Sequence, residues 1–507
     1  MSDQRKEVDG RNLTVARPRW PWFLGAILIV AIVGLAMWSA SLDKTRTSTS
    51  TSAVPQVTAS ASDPHGPSNS TAAGDLTGSL LDQMSGAGAG RGAISGTSSA
   101  VLTNEQLEKQ YRSVHAVQEQ VDVLKDKAVA AAKAGNPDDA AQKMTAAKEG
   151  ISGLDERLLS LQRDLRAARA ARPDDPIVQW LTGELLIRIG GEPEEILPYF
   201  ERAANSGLQR PDVLASLARV QFEANQFQSA YRSGLRALSL NDQDPKVWET
   251  FERVAVGSEQ FDTVIRRIDS AFPQEKPVWA TDIRRRAQTL LEQWTKEQDV
   301  RSAQDAGANL PRVLLTIEHV TFERLPDGSA SARPKATGRD EVEVELFEDQ
   351  APITVANFLS LVESGFYNGT RFHWAQSASM VVGGDPNSKN DNPEDDGAGG
   401  PGYVIPDEFN VSRARSHFRG TLAMVATGPH TAGSQFLIAL VPHPTFDHHL
   451  TAFGRVIRGQ EGADRITAGR TNFRVGQFGK AIPGDLLVRA EVIRKRSHPY
   501  RVVKEKP

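Results

Sequence analysis

A histidine-rich segment between Pro442 and Leu450 carries side chains of the kind that bind metal ions. Its ligand-type residues are His443, Asp447, His448 and His449, with His430 upstream. Imidazole nitrogens and carboxylate oxygens are ordinary zinc ligands, but none of these spacings is diagnostic of a zinc site. The sequence therefore favours a solvated loop here, and we expect no metal site.

An acidic segment offers a second group of ion-binding side chains. Its carboxylates are Asp391, Glu394, Asp395 and Asp396. Calcium binds clustered carboxylates, but the regular ligand spacing of an EF-hand loop is absent. A charged surface loop is the better interpretation, with cation binding by residues 391–396 as the alternative.

The absence of cysteine narrows the chemistry further. Without a thiol in 507 residues, disulfides, cysteine-ligated zinc, iron–sulfur clusters and cysteine nucleophiles are excluded. The net charge of -4 argues against a nucleic-acid-binding protein, which usually carries a basic excess. A chain of this length forms several domains rather than one core.

The pattern after Pro311 changes from helical periodicity to the alternation of strands. Residues 313–317 and 342–346 predict two strands. A helix start follows at Pro352 or Thr354. Its apolar stripe consists of Val355, Phe358, Leu359 and Val362. We therefore expect strands followed by a packed helix at the start of this domain.

A series of motifs follows in order through the same region. They occupy residues 346–358, 365–370, 372–373, 380, 383–386, 399–403, 406–409, 420–424, 433–436 and 453–456. Together they resemble the cyclophilin-type peptidyl-prolyl cis-trans isomerases over residues 311–497, and the spacing from Gly399 to Phe409 resembles bacterial members. The resemblance implies a closed eight-stranded β-barrel with two capping helices. It also implies binding of X-Pro polypeptides on the outer face of the barrel, without a cofactor.

Isomerisation of an X-Pro bond makes modest chemical demands. The two isomers are nearly isoenergetic, but rotation breaks amide resonance and has a barrier of about 18–20 kcal/mol. A catalyst must hold the proline ring in an apolar pocket and stabilise the twisted bond only. In cyclophilins an arginine directly after the Phe-His pair donates a hydrogen bond toward the prolyl nitrogen.

The family arginine is replaced in this chain by Trp374. The resemblance assigns the catalytic positions to Trp374, His373 and Gln435. It assigns substrate binding to Phe372, Met380, Val382, Phe436, Leu437, Phe446 and Leu450. The family's pocket phenylalanine is Ser379 here, and Val382 and Leu450 replace a glutamine and a histidine. Loss of a charged donor costs on the order of 2–4 kcal/mol of transition-state stabilisation, so we expect a degenerate site. Arg371 is a possible substitute donor that a strand would direct elsewhere.

An internal repeat with a period of 34 residues precedes this domain. It relates Trp180, Leu214 and Trp248, among other positions. Such a period is typical of tetratricopeptide repeats, in which helix pairs stack because each is too small to bury its own apolar face. We predict a tetratricopeptide-like region over 172–272. In one interpretation its concave surface binds a protein partner. In the other, the repeats serve only as a spacer or mediate dimerisation.

Two further helical segments flank the repeats. Apolar residues spaced three and four positions apart predict a helical hairpin or coiled coil over 103–171. A charged helical connector is predicted over 273–310. Residues 498–507 form a basic tail.

The N-terminal part predicts a membrane anchor. Residues 20–42 carry no charge, and about 20 apolar residues span a bilayer as a helix. The basic residues of 1–19 place this segment in the cytoplasm. Residues 43–102 predict a disordered linker, and the domains beyond it are expected in the periplasm or otherwise outside the cytoplasm. A cleaved signal peptide is the alternative.

These observations predict a multidomain, membrane-anchored peptidyl-prolyl cis-trans isomerase that assists the folding of exported proteins. The alternative is a non-catalytic protein that binds proline peptides, or a scaffold, built on the cyclophilin fold and the helical repeats. Neither interpretation involves nucleic acid.

Overall fold

The protein is described here by a computed structural model covering residues 101–305, 309–321, 334–390, 392, 395–466 and 484–506. The predicted segments 1–19 and 20–42, and nearly all of 43–102, lie outside these residues. Within the ranges described, no helix combines the length and the apolar character needed to cross a bilayer.

Two long helices come first, α1 (Asn104–Lys133) and α2 (Pro137–Ala171). The side chain of Thr103 caps α1 in a reciprocal box with Gln106, which satisfies amide groups that the helix itself leaves unpaired. The two helices pack on each other through apolar residues at heptad-like spacing. These are Leu107, Val114 and Val121 on α1, and Leu154, Leu161, Leu165 and Ala168 on α2.

Three helix pairs and one long helix follow. They are α3 (Pro176–Arg188), α4 (Pro193–Asn205), α5 (Pro211–Glu223), α6 (Phe227–Leu240), α7 (Pro245–Gly257), α8 (Phe261–Ala271) and α9 (Val278–Asp305). Trp180, Leu214 and Trp248 are all buried. The positions related by the 34-residue period therefore form the stacked core of these pairs. At Gly183 an added Cβ would lie 2.7 Å from the ring of Phe200, so this helix crossing requires glycine.

In the residues described, the C-terminal domain consists of one antiparallel sheet, two α-helices and two short 3-10 helices. Its strands are β1 (Arg312–Thr321), β2 (Lys335–Leu346), β3 (Thr370–Arg371), β4 (Trp374–Gln376), β5 (Met380–Gly383), β6 (Thr421–Met424), β7 (Phe436–Ala439), β8 (Ala452–Arg458) and β9 (Leu486–Arg494). They are hydrogen-bonded in the order β3-β9-β1-β2-β8-β6-β7-β5-β4. Helix α10 (Pro352–Glu363) follows β2 and packs Phe358 into the core, and α11 (Gln460–Asp464) is a single short turn after β8.

The sheet differs from the closed eight-stranded barrel that the resemblance implies. It has nine strands, because the segment from Thr370 to Gln376 is divided into β3 and β4. At the division the backbone N–H of Phe372 donates to the carbonyl of Asp485 at 2.9 Å, and the chain then leaves that strand. The two pieces become the opposite edges of the sheet, which are not paired with each other in the described part of the chain. The result is a curled half-barrel.

The helical region packs against the sheet domain just before β6. The guanidinium of Arg415 binds the carboxylate of Glu297 on α9, and both side chains are buried. The ring of Phe418 lies 4.7 Å from that of Trp294 and 6.2 Å from that of Phe261, measured between centroids. Charged and aromatic contacts therefore join the helices to the sheet.

The basic tail predicted for 498–507 also packs on the domain. The hydroxyl of Tyr500 donates to Glu348 at 2.7 Å, and the ammonium of Lys504 lies 4.4 Å from the ring centre of Tyr403. Glu505 forms a bridge with Val404. The tail is thus held on the domain at Tyr500, Lys504 and Glu505, while most of its residues remain exposed.

Candidate active site

An apolar cluster separate from the main core lies on the outer face of strands β5, β6 and β7. It consists of Met380, Val382, Ala423, Leu437, Ala439 and Phe446, with Trp374, Val425 and Leu450 packed against it. We call it the outer cluster. It exists because successive side chains of a strand point to opposite faces. Val381 and its partner Ile438 therefore enter the main core, whereas Met380, Val382 and Leu437 face outward.

Most of the predicted substrate-binding residues meet in this outer cluster. Met380, Val382, Leu437, Phe446 and Leu450 all belong to it. The structure does not bring Phe372 and Phe436 there. Both are fully buried in the main core, where their ring centroids lie 6.3 Å apart. These two side chains therefore pack in the main core rather than in the outer cluster.

Trp374, which replaces the family arginine, lies on the short β4–β5 hairpin. Trp374 is paired with Val382 across the two strands, so its half-buried indole lies beside the outer cluster. The hairpin turn closes with the amide of Ser379 donating to the carbonyl of Gln376 at 3.1 Å. Its conformation therefore decides where the indole of Trp374 stands relative to Met380.

Ser379 occupies the position of the family's pocket phenylalanine, and its small side chain is buried. Its hydroxyl lies 3.3 Å from Nε2 of His443. The His443 ring in turn stacks on Phe446, with centroids 4.7 Å apart and planes tilted by 16°. Burial lowers the pKa of His443, so the ring is neutral at neutral pH. An uncharged histidine–phenylalanine stack therefore lies beside the residue that replaces the family's phenylalanine.

Gln435 is held by the loop that follows the acidic segment. Its Nε2 donates to the carbonyls of Gly397 and Gly399, both at 2.9 Å. The same loop is fastened by Asp385, which accepts the amide of Gly399 at 3.1 Å. Because both donor hydrogens of Gln435 are engaged, its amide oxygen is oriented away from the loop. Gln435 thus has a defined orientation directly before β7.

The remaining basic groups near the hairpin do not replace the arginine. Burial lowers the pKa of His373, and the Asp385 charge only partly offsets this effect; the imidazole is therefore neutral at neutral pH. The guanidinium of Arg371 donates to the carbonyl of Gly484 at 3.1 Å, at the other edge of the sheet. Arg371 is thus directed away from Trp374, as strand geometry predicts.

No metal-binding group of three or more histidine, aspartate or glutamate side chains is found in the ranges that the structure describes. His417 and His443 engage Asp447 and Ser379 respectively. Asp391 and Glu394 of the acidic segment lie outside those ranges.

Sequence reasoning missed one contact of the hairpin altogether. The side chain of Asn225, at the end of α5, accepts a hydrogen bond from the backbone amide of Ala378 at 2.7 Å. Ala378 is part of the hairpin turn. Asn225 lies in the repeat region, 153 residues away along the chain, so no local pattern indicates this pairing.

Comparison with known proteins gives a consistent result. The family model "Cyclophilin type peptidyl-prolyl cis-trans isomerase/CLD" matches residues 335–479. A peptidyl-prolyl cis-trans isomerase of Synechococcus elongatus is 38% identical over 138 residues, which cover 26% of this chain and 88% of that protein. Peptidyl-prolyl cis-trans isomerase B of Bacillus subtilis is 38% identical over 130 residues, covering 26% of this chain and 85% of the relative.

A crystal structure of a Cryptosporidium parvum cyclophilin-type isomerase covers 37% of this chain and 99% of its own, with 25% identity and a TM-score of 0.26. The two sequence relatives match this chain over 88% and 85% of their own length, and the range matched by the family model includes the strands that carry the outer cluster. The chain therefore belongs to the family of cyclophilin-type peptidyl-prolyl cis-trans isomerases.

Proposed function

We propose that this isomerase works slowly, with the outer cluster holding the proline ring and Trp374 standing where the family has a cation. The observation that carries the proposal is the contiguous apolar cluster of Met380, Leu437 and Phe446, against which the half-buried indole of Trp374 packs. Aromatic and aliphatic groups suit the apolar ring of proline. Binding of X-Pro segments is therefore retained, while the donor that acts on the twisted bond is weaker.

The chemical argument concerns the donor at position 374. Pyramidalisation of the prolyl nitrogen in the twisted state is favoured by a hydrogen bond to that nitrogen. An indole N–H is a donor but carries no charge, and charge-assisted hydrogen bonds are roughly twice as strong as neutral ones. Trp374 thus replaces only part of the stabilisation that the family arginine supplies. The loss corresponds to a factor of roughly a hundred in rate, if on the order of 2–4 kcal/mol is missing.

The test is a prolyl-isomerase assay on the full chain with an X-Pro tetrapeptide. We expect low but measurable kcat/KM for the wild type, and a gain of about tenfold or more for Trp374→Arg. The matched control is Trp374→Phe, which keeps an aromatic ring, removes the N–H and should fall below the wild type. A wild-type rate equal to the uncatalysed one, with no gain in Trp374→Arg, would contradict the proposal.

The second candidate is a protein that binds proline peptides without isomerising them. The uncharged side chain at position 374 favours it, because an aromatic ring offers proline an apolar contact without a charged donor for the twisted bond. Binding of ground and transition states to the same extent gives affinity without catalysis. It is distinguished by saturable binding of the tetrapeptide to the wild type, together with a flat rate that rises only in Trp374→Arg.

A membrane-anchored role in the folding of exported proteins is also part of the proposal. Its support is the uncharged stretch 20–42, which follows a basic segment and precedes a polar linker. The full chain should remain with membranes after alkaline carbonate extraction, and a reporter that is active only outside the cytoplasm should work when fused at the C-terminus. Release of the chain by carbonate would contradict anchoring.

Binding of a further protein partner to the helical repeats completes the proposal. Its support is the stacking of three helix pairs between 176 and 271, since such stacks present a concave surface. Cross-linking in cells with photoreactive groups on that surface should trap a defined protein. Adducts with copies of the chain alone would instead indicate dimerisation.

A further inference from the structure

We propose that the helical repeats are a fixed part of the isomerase site, and that Asn225 is a positioning residue for the β4–β5 hairpin. The assignment deepens the proposed function and rests on it. It concerns the residue that holds Trp374 in place rather than a group that touches substrate.

Asn225 is buried and bridges two segments of the sheet domain. Its Oδ1 accepts the amide hydrogen of Ala378 at 2.7 Å, and its Nδ2 donates to the carbonyl of Asp464 at 2.8 Å. Both polar ends of the side chain are thus satisfied by backbone groups of the other domain. Buried polar groups of this kind are costly to leave unpaired, so the two contacts fix the amide plane of Asn225.

The hydrogen bond to Asn225 is made at the strained turn of the hairpin. Ala378 has a left-handed backbone, with φ of 52°, which is unfavourable for a residue with a Cβ. It lies between Trp374 and Met380, and its neighbour Ser379 is tied to β7 through the amide of Leu440 at 2.7 Å. The hydrogen bond from Ala378 to Asn225 therefore holds the turn that sets the separation of the indole from the outer cluster.

The geometry of Asn225 follows from its place after a helix. It comes directly after α5 and is itself left-handed, with φ of 59°. The amide of Gln226 donates to the carbonyl of Gln221 at 2.8 Å, as in a Schellman motif. Asparagine is one of the few residues with a side chain that tolerates this position. The side-chain amide of Asn225 therefore points from the end of α5 toward the sheet domain.

The same position of the next repeat also contacts the sheet domain. Glu259 lies 34 residues after Asn225 and is left-handed too, with φ of 57°. Its Oε1 accepts the backbone amide of Arg419 at 3.1 Å, and the guanidinium of Arg419 binds the carboxylate of Asp464. Two successive repeats therefore present equivalent helix ends to the sheet, but only the first reaches the hairpin.

The experiment compares three variants of the full chain. Asn225→Gly keeps the left-handed backbone and removes both side-chain hydrogen bonds. Asn225→Asp keeps the acceptor for Ala378 and removes the donor to Asp464. Glu259→Gly is the matched control, because it makes the same change at the equivalent repeat position without touching the hairpin. Amide hydrogen exchange of the peptide spanning 374–383 and kcat/KM on an X-Pro tetrapeptide are measured for each.

We expect Asn225→Gly to speed exchange in that peptide and to lower kcat/KM roughly two- to tenfold, the worth of one buried hydrogen bond. Asn225→Asp should also speed exchange and lower kcat/KM, because its buried carboxylate would face the carbonyl of Asp464. Glu259→Gly should leave exchange in 374–383 unchanged. Unchanged exchange and turnover in Asn225→Gly would overturn the proposal. So would an equal effect of Glu259→Gly on the hairpin, which would indicate loosened docking in general. If the wild type has no turnover, the proposed function fails, and the exchange data still decide the role of Asn225.

Discussion

The guanidinium of Arg415 donates its Nε hydrogen to Oε2 of Glu297 at 2.8 Å, joining the sheet domain to helix α9. The two side chains are only 2% and 4% exposed. Arg415 also lies 3.9 Å from the ring centre of Phe347, and Glu297 accepts a second guanidinium from Arg301 at 2.9 Å. Removal of both charges from water is costly and is offset only by close, multiple hydrogen bonds.

Breaking this pair from one side should strongly destabilise the protein. We expect Glu297→Ala to lower the free energy of unfolding by about 3–5 kcal/mol, because it removes the carboxylate that binds the buried guanidinium of Arg415. The control is Arg266→Ala, which breaks an exposed pair with Asp262 and should cost less than about 1 kcal/mol. Urea unfolding monitored by tryptophan fluorescence measures both. Equal effects of the two variants would show that the buried pair has no special role.

The pH dependence of stability should have a component from Glu259. Burial raises the pKa of Glu259 from its ordinary value of 4.5 to about 7 in the folded protein, although Arg301 and Arg419 oppose the shift. Between these two pH values the folded state binds more protons than the unfolded state. The contribution of Glu259 to stability is therefore present below about pH 4.5 and is lost as the pH rises to about 7.

Glu259→Gln should remove this component while keeping an acceptor for the amide of Arg419. The free energy of unfolding of the variant should exceed that of the wild type by about 1–3 kcal/mol at pH 8, and the difference should shrink toward pH 5. Denaturant titrations at the two pH values measure it, with Glu156→Gln on the exposed face of α2 as the control. A difference that is independent of pH would contradict the raised pKa.

Gln435 should contribute to isomerase activity through the two hydrogen bonds that its side-chain amide donates. In Gln435→Glu the two hydrogen bonds to the carbonyls of Gly397 and Gly399 are lost, and a carboxylate then faces two carbonyl oxygens. We expect kcat/KM to fall by about tenfold or more, since each bond contributes roughly 0.5–1.5 kcal/mol. Gln142→Glu adds the same charge to an exposed position of α2 and should leave kcat/KM unchanged. A normal rate in Gln435→Glu would mean that the loop is held by Asp385 alone.

Restoring the family's phenylalanine at position 379 should fail unless space is made for it. The ring of His443 lies beside Ser379 and stacks on Phe446, so Ser379→Phe overpacks the site. We expect a loss of about 1–3 kcal/mol in the free energy of unfolding.

The second substitution His443→Ala should recover part of that loss. The two changes should therefore be non-additive in a double-mutant cycle, as expected for residues in contact. The free energies of unfolding of the wild type, both single variants and the double variant give the coupling. Additive effects would show that His443 does not occupy the space that the phenylalanine needs.

Much of the local structure, and the family, could be predicted from residue types and their spacing. The 34-residue period relates positions such as Trp180, Leu214 and Trp248, which the structure finds buried in successive helix pairs. The ordered motifs between 346 and 456 identify the isomerase fold, and the substitution of Trp374 for arginine can be read directly. Such features depend on short-range periodicity and residue type, which local sequence contains.

How these elements pack together depends on contacts between residues that are far apart in the chain. The division of 370–376 into two edge strands depends on pairing with different strands, since Thr370 and Arg371 pair with β9 whereas residues 374–376 pair with β5. The inward orientation of Phe372 and Phe436 depends on which face of the sheet is covered by α10. The contact of Asn225 with Ala378 joins residues 153 positions apart. Contacts of this kind form only when separate domains dock, so no pattern of neighbouring residues contains them.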